Sequence, residues 1–156
     1  MIIRDCMKRE VFSIQQAATI QQAANMFVQH HIGTLPVVDE KNHLVGLLQL
    51  RDLLTLVMPD FIHLMENFDF IDDFGAVETK TPSPEVVSRQ IGEVMGRAVS
   101  VEANCGLLRA FALLNHHRIS DLPVVDRENV LIGIASRVDI GTALLANWYP
   151  KTEGYG

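Results

Sequence analysis

The heptapeptide Gly133-Ile134-Ala135-Ser136-Arg137-Val138-Asp139 sets a hydroxyl, a guanidinium and a carboxylate close together behind a short apolar run. The run reads as a strand ending at Ser136, and the residues from about Asp139 onward as a helix. The first turn of a helix carries unpaired N–H donors and positive partial charge, so a hydroxyl placed there suits a phosphate. A neighbouring carboxylate suits a ribose diol, because one carboxylate accepts hydrogen bonds from two adjacent hydroxyls. Arg137 adds positive charge. An aspartate at a helix start is equally a cap that needs no ligand, and Asp139 and Asp52 are both open to that reading.

Other reactive residue types do not gather. Cys6 and Cys105 lie 99 residues apart without CxxC spacing, which excludes a sequence-readable zinc knuckle or thioredoxin motif. Each reads as a small buried apolar residue. His30-His31 and His116-His117 are adjacent pairs, about 100° apart on a helix and so poorly set for one metal ion. His43 and His63 have no partner at ligand spacing. Ser136 sits in no GxSxG elbow and Cys105 has no identifiable activating neighbour, so the chain reads as a non-enzyme without a metal site.

The elements that position these residues occur twice. At an offset of 87, Ile32-Gly33-Thr34-Leu35-Pro36-Val37-Val38-Asp39 falls on Ile119-Ser120-Asp121-Leu122-Pro123-Val124-Val125-Asp126 without a gap. The register also aligns Ser13 with Ser100, Ala23 with Ala110, His30 with His117 and Asn42 with Asn129. It continues through Leu44 and Leu131, Gly46 and Gly133, Asp52 and Asp139, and Thr55 and Thr142. Fourteen of 43 positions are identical, whereas unrelated sequence would give roughly three. Upstream, Ile3 to Met7 resembles Ile91 to Met95 at an offset of 88.

Each copy reads as β-α-β-β-α. Val11 to Ile14 is a short apolar stretch, and Ile20, Ala23, Ala24, Phe27 and Val28 recur at helical spacing behind a capping Thr19. His30 and His31 close that helix, with Gly33 as its stop. Strands follow over 35–38 and 44–48, with Asn42 supplying the turn and a helix from about Asp52. The second copy places the same elements at 98–101, 106–117, 122–125, 131–135 and 139–147. Apolar strands of this kind are buried on both faces, so helices must cover a mixed sheet in each copy.

Between the copies, Phe61, Leu64, Met65 and Phe68 mark one stripe of a helix. That stripe packs on the body, packs across a dimer or docks a client protein. The stretch from Thr79 to Pro84 reads as a turn-rich linker. The chain has 156 residues, 48% of them hydrophobic, enough for one compact body with its own core. Thirteen Lys and Arg against 19 Asp and Glu argue against nucleic acid as the main partner. No apolar run approaches the roughly 20 residues of a bilayer span, and the N-terminus lacks a signal-peptide core, so the expected setting is cytoplasmic.

The repeated Leu-Pro-Val-Val-Asp block, followed by Gly-apolar-apolar-Ser-x-x-Asp, resembles a tandem pair of CBS domains, a Bateman module. The resemblance covers 1–58 and 91–147, leaving an insert at 59–90 and a tail at 148–156. It implies two α/β repeats packed about a pseudo-twofold axis with a partly helical insert between them. It also implies a regulatory module for AMP, ADP or ATP, with S-adenosylmethionine and NAD as further possibilities, and no required cofactor. Carried over, one cleft takes Val11, Phe12, Ile32, Gly33, Thr34, Leu35 and Pro36 with Ser136, Arg137 and Asp139. Its mate takes Gln49 and Asp52 with Val99, Ile119, Ser120, Asp121 and Leu122. Gln49 replaces the expected Ser or Thr, and Asp121 sets a carboxylate where phosphate would approach, so the Asp139 cleft is expected to be the occupied one. Arg51 and Arg118 are candidates to offset Asp121. The family often forms disk-like dimers, here through the helices that begin at Asp52 and Asp139, and the client is a separate protein or the homodimer itself. The alternative is a structural interaction module whose clefts are vestigial.

Overall fold

The computed structural model describes residues 1–58 and 81–148. A 3₁₀ turn at Ile3–Asp5 leads into β1 (Ile14–Gln15), α1 (Ile20–His30), β2 (Thr34–Val38), β3 (Leu44–Gln49) and α2 (Leu50–Val57). Two short helices, α3 (Pro84–Val87) and α4 (Ile91–Val94), precede the second copy. That copy comprises β4 (Val101–Glu102), α5 (Leu107–His117), β5 (Asp121–Val125), β6 (Leu131–Ser136) and α6 (Arg137–Ala146). Each copy has a mixed three-stranded sheet whose middle strand, β2 or β5, pairs parallel to the first and antiparallel to the third. All five residues of β2 are buried, as its apolar run requires.

Several boundaries differ from the sequence expectation. The first strand of each copy has only two residues, because just Ile14-Gln15 and Val101-Glu102 overlap the end of the middle strand. Residues 11–13 and 98–100 run past the sheet unpaired. The helices expected near Asp52 and Asp139 start two residues earlier, at Leu50 and Arg137, since the turn is made at Gln49 and Ser136. The α6 helix begins at that Ser136 turn, whereas α5 begins at Leu107 with Gly106 as its cap. Thr19 caps α1 as expected, accepting from Gln22 N–H while Gln22 reaches back to the Thr19 N–H.

The α1 helix stops at His31 and not Gly33. His31 adopts the left-handed conformation at φ 50° and donates to Phe27 O, and Arg118 does the same at φ 53° after α5. Asn42 and Asn129, at φ 65° and 66°, make the β-hairpin turns, as the short polar side chain of Asn allows.

The two copies are joined by reciprocal contacts about the pseudo-twofold axis. Asn42 Nδ2 donates to Leu131 O and Asn129 Nδ2 to Leu44 O, while Leu44 N–H and Leu131 N–H donate to the Asn129 and Asn42 carbonyls. The segments ahead of each copy are exchanged. Ile3, fully buried, packs into the second core with Leu107, Leu122 and Ile140, whereas Ile91, also fully buried, packs into the first with Ile20, Leu35 and Leu48. Burying one such isoleucine stabilises the fold by about 1.5–3 kcal/mol. The phenylalanine-rich stripe at 61–68 lies outside the described residues.

Candidate functional site

Phe12, Ile32, Gly33 and Thr34 line one cavity of about 340 Å³, together with Lys8 and His30. The unpaired run before β1 carries Phe12, whose ring stacks on His30 with centroids 3.8 Å apart. The exchanged N-terminal segment brings Lys8 in, pairing through its backbone with Ile134 of β6. Lys8 Nζ lies 3.7 Å from Asp139 Oδ2, which ties the α6 turn to this cavity.

Ser136 and Asp139 satisfy each other in a capping box. Asp139 N–H donates to Ser136 Oγ at 3.0 Å, and Ser136 N–H donates to Asp139 Oδ2 at 2.9 Å. The cap reading of Asp139 is therefore part of its geometry, and any ligand hydroxyl at this carboxylate uses its remaining acceptor positions or displaces Ser136 N–H. Nearby, burial first, then the charges of Asp139 and Asp5, push the Cys6 thiol above its ordinary pKa. Burial does the same to Cys105, so neither thiol is activated.

The remaining residues of this group divide. Val11 is half-buried outside the cavity lining, and the Leu35 and Pro36 side chains lie in the core. Arg137 turns to a second cavity of about 460 Å³ shared with Gly33, Gln49, Arg51, Arg118 and Ser120. Its Nη2 donates to Ile119 O at 3.3 Å, and its guanidinium stands 6.0 Å from the Phe111 ring centroid. Three arginines, Arg51, Arg118 and Arg137, thus surround one space beside the inter-repeat seam. At the seam, the buried Thr34 hydroxyl lies 3.1 Å from Ser120 Oγ, which donates to Asp121 Oδ2 at 2.8 Å.

The residues grouped as the mate cleft are not gathered in one space. Gln49, Ile119 and Ser120 line the three-arginine cavity, whereas Asp121 lines the cavity of Phe12 and Lys8. Leu122 is fully buried, and Val99 belongs to a third cavity along α5. Asp52 stands at the third position of α2 with Oδ1 3.9 Å from Arg51 Nε, and Gln49 provides no side-chain cap. Sequence reasoning missed Lys8 and His30 as neighbours of Phe12. Lys8 aligns with Gly96 in the upstream register, so nothing in the repeat singled it out.

No group of three His, Cys, Asp or Glu among the described residues is placed to hold a metal ion, and none of their helices is long and apolar enough to cross a membrane. A family model described as CBS domain matches residues 3–59 and 91–146. The CBS domain-containing protein YhcV of Bacillus subtilis (strain 168) is 30% identical over 145 residues, covering 93% of this chain and 86% of YhcV. A crystal structure of CBSX2 in complex with AMP superposes with a TM-score of 0.69 at 25% identity, covering 95% of this chain and 98% of that one. The CBS domain pair of protein MJ0100, in complex with 5-methylthioadenosine and S-adenosyl-L-methionine, shares the fold with a TM-score of 0.66 at 20% identity, covering 94% of this chain and 98% of that one. Two matched segments, two interlocked three-stranded sheets and these likenesses together make the chain a member of the CBS-domain family, built as a tandem pair.

Proposed function

We propose that the chain is a regulatory module that binds an adenosine compound, such as AMP, ADP or ATP, in the cleft of Phe12, Ile32, Gly33, Thr34 and Asp139. S-adenosylmethionine and NAD are further ligands of the same class. One observation carries this reading: Lys8, which lines the Phe12 cavity, lies 3.7 Å from Asp139, so an aromatic wall and a cation share one space and a carboxylate able to take a diol stands one ion pair away. The base lies against the apolar wall of Phe12 and Ile32, the ribose reaches Asp139, and the phosphates run toward Arg137, Arg118 and Arg51. The AMP in the related CBSX2 structure supports an adenosine ligand. The repeats are taken as 1–58 and 91–147, separated by the insert at 59–90.

Signalling follows from differential affinity. A ligand shifts the packing of the repeats, or of two chains in a homodimer, only as far as it prefers one arrangement. The dimer would form through α2 and α6, where Leu50, Val138 and Leu145 are exposed. A client protein, cytoplasmic like the module, would read the result without any catalysis by this chain. For the Asp52 cleft the vestigial reading is favoured, because Gly96 stands where the first segment has Lys8, so Asp52 has no counterpart of the cation that ties Asp139 to a cavity.

Thermal unfolding with each nucleotide tests the proposal. A ligand at about 100 times its Kd adds about 2.7 kcal/mol of stability. A melting temperature unmoved by millimolar AMP, ADP, ATP, S-adenosylmethionine and NAD would leave the module a structural interaction domain.

A further inference from the structure

The internal duplication supplies a comparison for every surface of this molecule, and one groove differs sharply from its counterpart: Arg97, Val99 and His117 line it where the first copy has Glu10, Phe12 and His30. It is a cavity of about 510 Å³ between residues 97–105 and one face of α5. Arg109, Leu113 and His117 recur every fourth residue along that face, so they form one wall about 12 Å long. Arg97, Val99 and Val101 stand on the other wall, with Ser100 and Asn104 as neutral polar groups and Glu102 as the one acid. A volume of this size suits a small organic molecule. Of the residues grouped into the two clefts above, only Val99 lines it.

Three substitutions between the copies open and charge this groove. In the first copy Phe12 stacks on His30 and covers it; at the matching position the second copy has Val99, too small to do so, and His117 is exposed. Arg97 and Arg109 replace Glu10 and Gln22 at the same offset. Gln22 completes the α1 capping box, whereas Arg109 sets a cation in the first turn of α5, where the helix dipole disfavours it. Neither arginine enters an ion pair among the described residues. Two guanidiniums beside Val99, Val101 and Leu113 suit an anion joined to an apolar body. Guanidinium holds phosphate through paired hydrogen bonds, and a phosphate monoester carries about −1.5 to −2 charges near neutral pH.

We propose that this groove is a second ligand site, separate from the nucleotide cleft, for a small phosphate monoester with an apolar body. Phenyl phosphate is the probe, titrated into the full chain while backbone amide resonances are followed, with phenol and inorganic phosphate as the two half-ligands. Shifts are expected at 97–105 and 109–117, with phenyl phosphate binding at least tenfold tighter than either half. Arg97→Gln with Arg109→Gln should weaken it at least tenfold, whereas Arg51→Gln with Arg118→Gln should leave it within twofold. Val99→Phe restores the aromatic cover of the first copy and should close the groove without removing a charge, with a similar loss. Shifts centred on Arg51, Arg118 and Arg137, phenol binding as tightly as its phosphate, or full affinity in Val99→Phe would each overturn the assignment. Should the double arginine variant fail to fold, the wild-type shift map and Val99→Phe decide the question.

Discussion

The thioether of Met95 rests on Gly46: a β-carbon added to that glycine would stand 2.5 Å from Sδ and 2.8 Å from Cγ. Met7 does the same to Gly133, where the added carbon would stand 2.7 Å from its Sδ. Each methionine belongs to the segment ahead of one copy, and each glycine to the third strand of the other. Backbone pairing continues the contact, through Leu47 with Gly96 and Ile134 with Lys8. The exchange makes the two halves depend on each other, and it delivers Lys8 to the cavity of Phe12.

Gly46→Ala and Gly133→Ala are therefore expected to overpack the fold and destabilise it by about 1–3 kcal/mol each, measured by urea unfolding. Pairing Gly133→Ala with Met7→Ala should recover part of the loss, giving a non-additive double-mutant cycle. Additive losses would show that the methionine is not what the new methyl meets.

The hairpin asparagines separate backbone strain from the inter-repeat hydrogen bond. Asn42→Gly keeps the left-handed turn and loses only the amide bond to Leu131 O, a net cost of about 0.5–1.5 kcal/mol. Asn42→Ala adds about 1–2 kcal/mol for a β-carbon in that conformation without local compensation. Equal unfolding midpoints for the two variants would contradict the strain.

Much of this was legible in the sequence, for identifiable reasons. The 87-residue register and the apolar runs around Leu35 and Leu44 announced the repeated strands because burial on both faces leaves a continuous apolar signature. Thr19 was readable because a cap is a local interaction. The exchange was not, since Met7 over Gly133 is a contact between residues far apart in sequence and leaves no local pattern. His31 as the helix stop was hidden by Gly33, the more permissive residue two places on. Within the candidate site, Phe12, Gly33 and Thr34 meet one cavity, but motif spacing gave no warning that Val99 and Asp52 would stand apart from Ser120.

Acid stability carries a signature of Asp39. The His43 backbone N–H, aided by its side chain and by Lys41 N–H, holds this carboxyl below its ordinary pKa against a smaller opposing effect of desolvation. A carboxyl depressed in the folded state contributes stability above its unfolded pKa, and that contribution is lost as pH falls through the folded value. Asp39→Asn keeps an acceptor oxygen and removes the titration. Its unfolding midpoint should fall less steeply than wild type below the ordinary carboxylate range, and parallel curves would exclude the effect.

Lys8 should discriminate by charge. Lys8 lines the cavity with its side chain 66% exposed, and its ammonium leaves Asp139 at little cost because exposed ion pairs contribute only about 0–1 kcal/mol. Lys8→Met keeps the aliphatic stem and is expected to weaken AMP several-fold while leaving adenosine nearly unchanged, by calorimetric titration. Equal losses for both ligands would assign Lys8 to packing.

Asp139 has two duties, and one substitution separates them. Asp139→Ala removes both the charge and the acceptor for Ser136 N–H, so its effect on binding would be mixed with a cap loss of about 0.5–2 kcal/mol. Asp139→Asn retains an oxygen for that N–H and loses only the charge that strengthens hydrogen bonds from a ribose diol. The expected result is an unfolding free energy close to wild type and AMP affinity reduced at least tenfold. Asp52→Asn, with its carboxylate beside Arg51 and away from the cavity walls, should change AMP affinity by less than twofold. If both aspartates prove equally dispensable, the carboxylate at the α6 turn is a helix cap alone, and the adenosine assignment fails with it.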